Sequence, residues 1–204
     1  MLMRMVRADC CVALVAALCA SGCLQLEDGG RDVPVEPEAS GEECRRQAPW
    51  AKRFGATSNS IPTVVAVGPD GSVLVAGSML QPLDLGHGPI TPSASISSYV
   101  AMFRADGELA FAREVAYSQQ WTVPTTGGID AAGGAWLAGS FSNSVSVLGR
   151  DFGGEFEASY IVALDGGGHL RHVHVLAGTG QRTIQSLHTL PDRGAIVAGR
   201  FRGR

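Results

Sequence analysis

Hydrophobic positions in this chain come in short alternating clusters, not in helical stripes. Residues 63–67, 73–77, 99–103 and 109–115 are brief, rich in Val and Ala, and bounded by turn residues, which is how β-strands read. Asp70 and Gly71 separate the first two clusters, and Asp106 and Gly107 the last two. A tight hairpin needs residues there that accept positive φ. The predicted unit is therefore a four-stranded antiparallel meander. After the N-terminal apolar segment no stretch sustains a 3.6-residue period, so no helix is expected.

The meander is written more than once. VLVAGS, ending at Ala76, Gly77 and Ser78, returns as AWLAGS, ending at Ala138, Gly139 and Ser140, and again as AIVAGR, ending at Ala198, Gly199 and Arg200. SYVAMF at 98–103 returns as SYIVAL at 159–164, and the following Gly107 and Leu109 match Gly168 and Leu170. Trp50, Ala51, Lys52 and Arg53 line up with Phe111, Ala112, Arg113 and Glu114, and Leu85 and Gly86 with Leu148 and Gly149. All four landmarks share a step of about 61 residues, the mark of a repeat architecture in which each unit hides its apolar face against the next.

The order W-A-K-R, then V-x-P-D-G-S-V-x-V-A-G-S, then L-D-L-G, then Y-V-A-x-x-x-x-D-G-E-L resembles the SBBP-type β-propeller repeats of bacterial cell-surface and secreted proteins. The resemblance covers residues 50–204. It implies an all-β fold, an incomplete β-propeller of about 2.5 four-stranded antiparallel blades of about 61 residues each. The matching residues are turn glycines, Asp-Gly pairs and apolar alternation, so they imply fold and not activity. Propellers close with about four to eight blades, and the expectation is a truncated product or fragment whose open sheet edges are prone to associate.

Ahead of the repeats, Arg4 and Arg7 precede an apolar run at 10–20, and Ala20, Ser21 and Gly22 lead to Cys23. Basic, apolar and small residues in that order make an export signal. As a helix the run would span roughly 16 Å, too short for a ~30 Å hydrocarbon core. LCASGC resembles a bacterial lipobox, with Ala20 where Leu is more frequent; an ordinary secretory peptide is the other reading. The resemblance implies lipidation of Cys23, with palmitate among its acyl chains, and a mature protein tethered without spanning the membrane. Leu24 in place of Asp resembles lipoproteins passed on to the outer membrane, the alternatives being secreted or periplasmic. Cys10, Cys11 and Cys19 then fall in the removed segment, and Cys44 is left as the one free thiol. The expected organisation is a signal peptide over 1–22, a flexible acidic linker over 23–48, rich in Glu and Asp with Pro34 and Pro37, and partial propeller repeats over 49–204.

Composition narrows the chemistry. Sixteen basic against 19 acidic residues, a net charge of −3, offer no footprint for a phosphate backbone, so no nucleic-acid partner is expected. His172 and His174 share one strand face, with Val173 and Val175 on the other, but lack a convincing third ligand. The turns at Asp70, Asp106 and Asp192 supply one carboxylate each, too few for calcium, and read as hairpin turns. No nucleophile elbow, zinc helix, phosphate loop or paired-cysteine motif occurs, and no metal or cofactor is expected. Trp50 and Trp136 fall at packing positions, whereas Trp121 lies in a connection where an indole covers a blade end or stacks on a ligand. The expected role is a non-enzymatic surface binding or scaffold module for protein or polysaccharide. The alternatives are a propeller-type hydrolase or lyase acting on polysaccharide, or a non-functional fragment of a larger propeller protein.

Overall fold

The computed structural model describes residues 13–17, 50–54, 59–178 and 180–202, and among them it has strands and turns but no helix. The ends of the expected export signal, Cys23, the expected acidic linker and Cys44 lie outside the described residues. Within the expected signal, β1 (Ala13–Ala17) pairs antiparallel with β2 (Trp50–Phe54).

The next strands are β3 (Ser60–Val67) and β4 (Val73–Met79), followed by a minor pair, β5 (Leu83–Asp84) and β6 (Pro89–Ile90). Then come β7 (Ile96–Phe103) and β8 (Leu109–Ser118). A second series holds β9 (Thr122–Ile129), β10 (Ala135–Val147), β11 (Arg150–Leu164) and β12 (Leu170–Leu176). The last hairpin is β13 (Arg182–Thr189) with β14 (Ala195–Phe201). Every predicted strand of the first unit is present, each extended by a few residues.

Strands β3, β4, β7 and β8 pair antiparallel in that order, as do β9, β10, β11 and β12. The two meanders form one eight-stranded sheet, an open curled half-barrel, because Ser146 and Val147 of β10 pair with Tyr117 and Ala116 of β8. Gly77 and Gly139 occupy like places: each lies in the second strand of its meander, opposite Tyr99 and Tyr160 respectively. The meanders differ in the connection between second and third strands. In the second, β10 and β11 run on to a tight turn at Leu148 and Gly149, both at positive φ; in the first, the matching Leu85 and Gly86 lie in the looser connection between β5 and β6.

Five hairpins share one turn. In each, the first loop-flanking N–H donates to the carbonyl four residues on, and the N–H three residues on donates back: Gly68 with Ser72 and Gly71, Arg104 with Glu108 and Gly107, Asp130 with Gly134 and Gly133, Asp165 with His169 and Gly168, Leu190 with Gly194 and Arg193. This is the three-residue loop that ends in a left-handed residue. Glycine fills that place four times, at φ between 74° and 87°, and Arg193 takes it once at φ 67°.

Apolar side chains of both meanders meet in one core, with Val64, Leu74, Val100 and Phe111 from the first against Ile129, Leu137, Phe141 and Tyr160 from the second. The other face of the first meander, with Val73, Val75, Met79, Tyr99 and Phe103, is covered by Trp50 and Phe54 of β2. These two junctions are the same junction repeated. The indole of Trp50 lies on Gly107, where a Cβ would come within 2.8 Å of the ring, and the ring of Phe111 lies on Gly168, where a Cβ would come within 2.7 Å. Both pairs are 61 residues apart in step, and both glycines hold positive φ.

The innermost strands repeat their contact too. Thr63 Oγ1 donates to the carbonyl of Pro124 at 2.6 Å, and Thr125 Oγ1 to the carbonyl of Ile184 at 2.9 Å. Thr63, Thr125 and Gln185 are each skipped in the pairing register, so each is a bulge residue. Pro62 and Pro124 directly precede two of these bulges, the kind of place in a sheet that tolerates proline. The second meander thus receives β13 and β14 as the first receives the second.

Candidate functional site

The structure brings the turns together and leaves the histidines apart from any ligand set. His172 and His174 are exposed on one side of β12 with parallel rings 6.4 Å apart, while Val173 and Val175 pack toward the core. Among the described residues no group of three or more His, Cys, Asp or Glu is placed to hold a metal ion. Exposed His169 sits at the end of its turn, its Nδ1 3.2 Å from the Asp165 carboxylate. Cys23, the expected lipidation site, lies outside the described residues.

The turn aspartates spend their oxygens on their own backbones. Asp70 Oδ1 accepts from the Ser72 hydroxyl at 2.6 Å and the Ser72 N–H at 3.0 Å. The Ser72 hydroxyl outweighs partial burial and holds the Asp70 carboxyl below the ordinary carboxylate range. Asp106 accepts from the Glu108 N–H at 2.9 Å, and Asp192 from the Gly194 N–H at 3.0 Å. Asp165 accepts from the N–H groups of His169 and Gly167, which hold its carboxyl down as well. All three expected hairpin turns, at Asp70, Asp106 and Asp192, are therefore found, closed by the carboxylate that the sequence places in them.

Four of these turns, two from each meander, surround a cleft of about 410 Å³. Its wall combines Asp70, Arg104 and Asp106 with Met102, Phe103 and Ala110, and the backbone of Gly133 and Gly166 closes the far side. Arg104 and Asp106 are exposed. Charged donors and acceptors beside an apolar floor suit a ligand that carries both hydroxyl or amide groups and a hydrophobic face. Arg104 and the cleft were not singled out from the sequence, because nothing in a linear pattern says that turns 61 residues apart share one end of a sheet.

A second cluster also went unseen. Asp130 opens its turn fully buried, and its carboxylate accepts from the N–H groups of Ala132 and Gly134, from Trp136 Nε1 at 3.3 Å and from Arg171 Nη1 at 2.6 Å. The Arg171 guanidinium stands 6.0 Å from the centre of the Trp136 ring. Trp136 is thus half-buried at a packing position as expected, but it packs against a charge. Trp50 is half-buried at the margin of its core, with Nε1 donating to the carbonyl of Ala105 at 3.0 Å. Trp121 lies half-buried just before β9, where its carbonyl accepts from the Ser142 N–H.

Taken together these features define an all-β antiparallel repeat protein. A scan against protein-family models finds no family that matches the chain, and a search of curated proteins finds no match to it.

Proposed function

We propose that the chain is an exported, lipid-anchored repeat protein of the SBBP-type β-propeller kind, whose blades serve as a binding or scaffold module for protein or polysaccharide at the cell surface. In this reading the two meanders are two blades, and β13 with β14 begins a third. The observation that carries it is the cleft where four hairpin turns from both meanders converge, with Arg104 and Asp106 exposed in its wall. Loops set on a rigid sheet scaffold are where binding residues gather. The repeated seating of Trp50 on Gly107 and Phe111 on Gly168 supports successive blades packed by one rule.

Anchoring rests on the run ahead of Cys23. Processing at that point removes β1 and frees the edge of β2 for another strand. Expression of the full chain in a two-membraned bacterium grown with labelled palmitate tests this: label on the wild type and none on Cys23→Ser is expected, and an unlabelled wild type sinks the anchor. Binding is tested separately on glycan and peptide panels. A ligand of the cleft loses affinity at least tenfold with Arg104→Ala, and a panel with no ligand, or one indifferent to that change, sinks the binding reading.

A further inference from the structure

The junction that repeats along the chain carries a cation beside its aromatic ring, and the two copies treat that cation differently. In the first, Trp50 lies on Gly107, and Lys52, two residues on, pairs with Glu108 at 3.6 Å. In the second, Phe111 lies on Gly168, and Arg113 stands in the place of Lys52. The residue in the place of Glu108 is His169, whose ring is instead beside the Asp165 carboxylate. Arg113 is left with the carbonyl of Gly168, to which its Nη1 donates at 2.6 Å. Among the described residues its buried Nε has no acceptor, and no carboxylate pairs with the guanidinium. A buried donor on a charged group is costly to leave unmet.

Arg113 lines a cleft of about 390 Å³ that shares no lining residue with the one at the turns. It lies where the tip of the β10–β11 hairpin meets β8, with the Leu148 N–H donating to the carbonyl of Val115 at 2.9 Å. Val115 is skipped in the pairing of β8 with β7, and this bulge re-aims the strand so that Arg113, Glu114 and Tyr117 all line the cleft. Ser93, Leu148 and Gly149 complete it. The N–H and hydroxyl of Ser93 donate to the two Glu114 carboxylate oxygens at 2.7 and 2.6 Å and fix that side chain in place. Among the described residues, the other buried side-chain polar atoms without a partner are the hydroxyls of Ser97 and Ser146, which stand opposite Tyr117 on β7 and β10. Unmet hydrogen-bonding capacity is thus gathered around this one place.

We infer that the cleft binds a sugar acid, a hexuronate unit whose carboxylate supplies Arg113 with the counter-charge that Glu108 supplies to Lys52. With Nη1 anchored on Gly168, a turn of the guanidinium presents Nε and Nη2, whose parallel N–H groups match the two oxygens of a carboxylate. Glu114 keeps lone pairs beyond those taken by Ser93 and accepts from ring hydroxyls. Leu148 gives the C–H face of the ring an apolar surface. A neutral sugar leaves Arg113 without its counter-charge, and a simple carboxylate makes no use of Glu114. The inference rests on the repeated junction and is independent of lipid anchoring and of the turn-end cleft.

The test uses the full chain and three probes: free galacturonate, its linear trimer, and the trimer as its methyl ester. Calorimetry is expected to give saturable binding of both acids. The ester, with the same hydroxyls and no charge, is expected to bind at least tenfold more weakly than the trimer. A trimer that outbinds the free acid identifies a polymer as the source, and equal binding identifies the monosaccharide. Arg113→Gln is expected to lose at least tenfold. His169→Glu places the missing carboxylate within the chain at an exposed position, so it is expected to fold and to lose binding at least tenfold as well. Hydrogen exchange is expected to slow at residues 113–117 when the trimer binds. No saturable binding of either acid, equal binding of the ester, or wild-type binding by a folded His169→Glu overturns the inference. Slowed exchange confined to residues 102–106 and 132–133 overturns it while leaving the turn-end cleft as a binding site.

Discussion

Arg171 reaches from β12 to the buried carboxylate of Asp130, its Nη1 2.6 Å from Oδ2, while its Nη2 donates to the carbonyl of Arg193 at 3.3 Å. One guanidinium therefore ties the first turn of the second meander to its outer strand and to the turn of the last hairpin. Burial pushes the Asp130 carboxyl up. The Arg171 hydrogen bond, the N–H groups of Gly134 and Ala132 and the Arg171 charge outweigh it, and the carboxyl is held below the usual range.

Removing that carboxylate strands a partly buried guanidinium and two turn N–H groups. Asp130→Ala is expected to cost about 3 kcal/mol, near the low end for breaking a buried ion pair because the Arg171 side chain stays 29% exposed. Asp130→Asn keeps some turn bonds and costs less. The pH dependence follows from the depressed carboxyl: its contribution is present above the unfolded value of about 4 and is lost as pH falls through the lower folded value. Melting temperature recorded from pH 6 to pH 2 should fall more steeply for the wild type than for Asp130→Asn.

The aromatic-on-glycine contact makes a sharper prediction. Gly168→Ala puts a Cβ 2.7 Å from the Phe111 ring on a backbone with φ 82°, so clash and strain add. A loss of about 3 kcal/mol is expected in chemical denaturation. Gly149→Ala, also at positive φ but with open space around it, is the control that carries strain alone and loses about 1 kcal/mol.

Arg193 is the one non-glycine residue in the fourth place of these five turns. Arg193→Gly relieves a left-handed backbone, keeps the carbonyl that accepts from Arg171, and should stabilise the last hairpin by about 0.5–1 kcal/mol. Hydrogen exchange at β13 and β14 reads the gain, and unchanged or faster exchange counts against it.

Burial pushes both Tyr99 and Tyr160 up to about 12. Each folded phenol is harder to ionise than its unfolded counterpart near 10, so their contribution is complete below about pH 10 and is lost as pH rises toward 12. Ultraviolet titration should show the unfolding step and the ionisation of these phenols together. Tyr160→Phe removes one of the two ionisations and a 3.3 Å hydrogen bond to Ser98 Oγ, and costs about 1 kcal/mol at neutral pH.

The strands of the first unit, the turns at Asp70, Asp106 and Asp192 and the step of about 61 residues were readable in advance because each has a local cause. Period-two alternation marks a half-buried strand, and Asp-Gly marks a turn wherever it sits. The turn opened by Asp130 escaped notice because Ala131, Ala132, Gly133 and Gly134 carry no Asp-Gly pair; its carboxylate stands two places earlier than in the turns at Asp70 and Asp106 and closes the same loop from the other side. Trp136 looked like an ordinary packing residue because alignment with Leu74 and Ile196 says where a side chain points but not what faces it.

What the amino-acid order determined by itself is the meander and its repetition, since both are set by interactions between residues close in the chain: alternation, positive φ and short loops. What only the tertiary structure decided is which distant groups meet, namely Arg171 with Asp130, Thr63 with the carbonyl of Pro124, and four turns around one cleft. Those meetings depend on the angle at which one twisted sheet settles on the next, which the packing of whole faces sets and no single stretch of residues encodes.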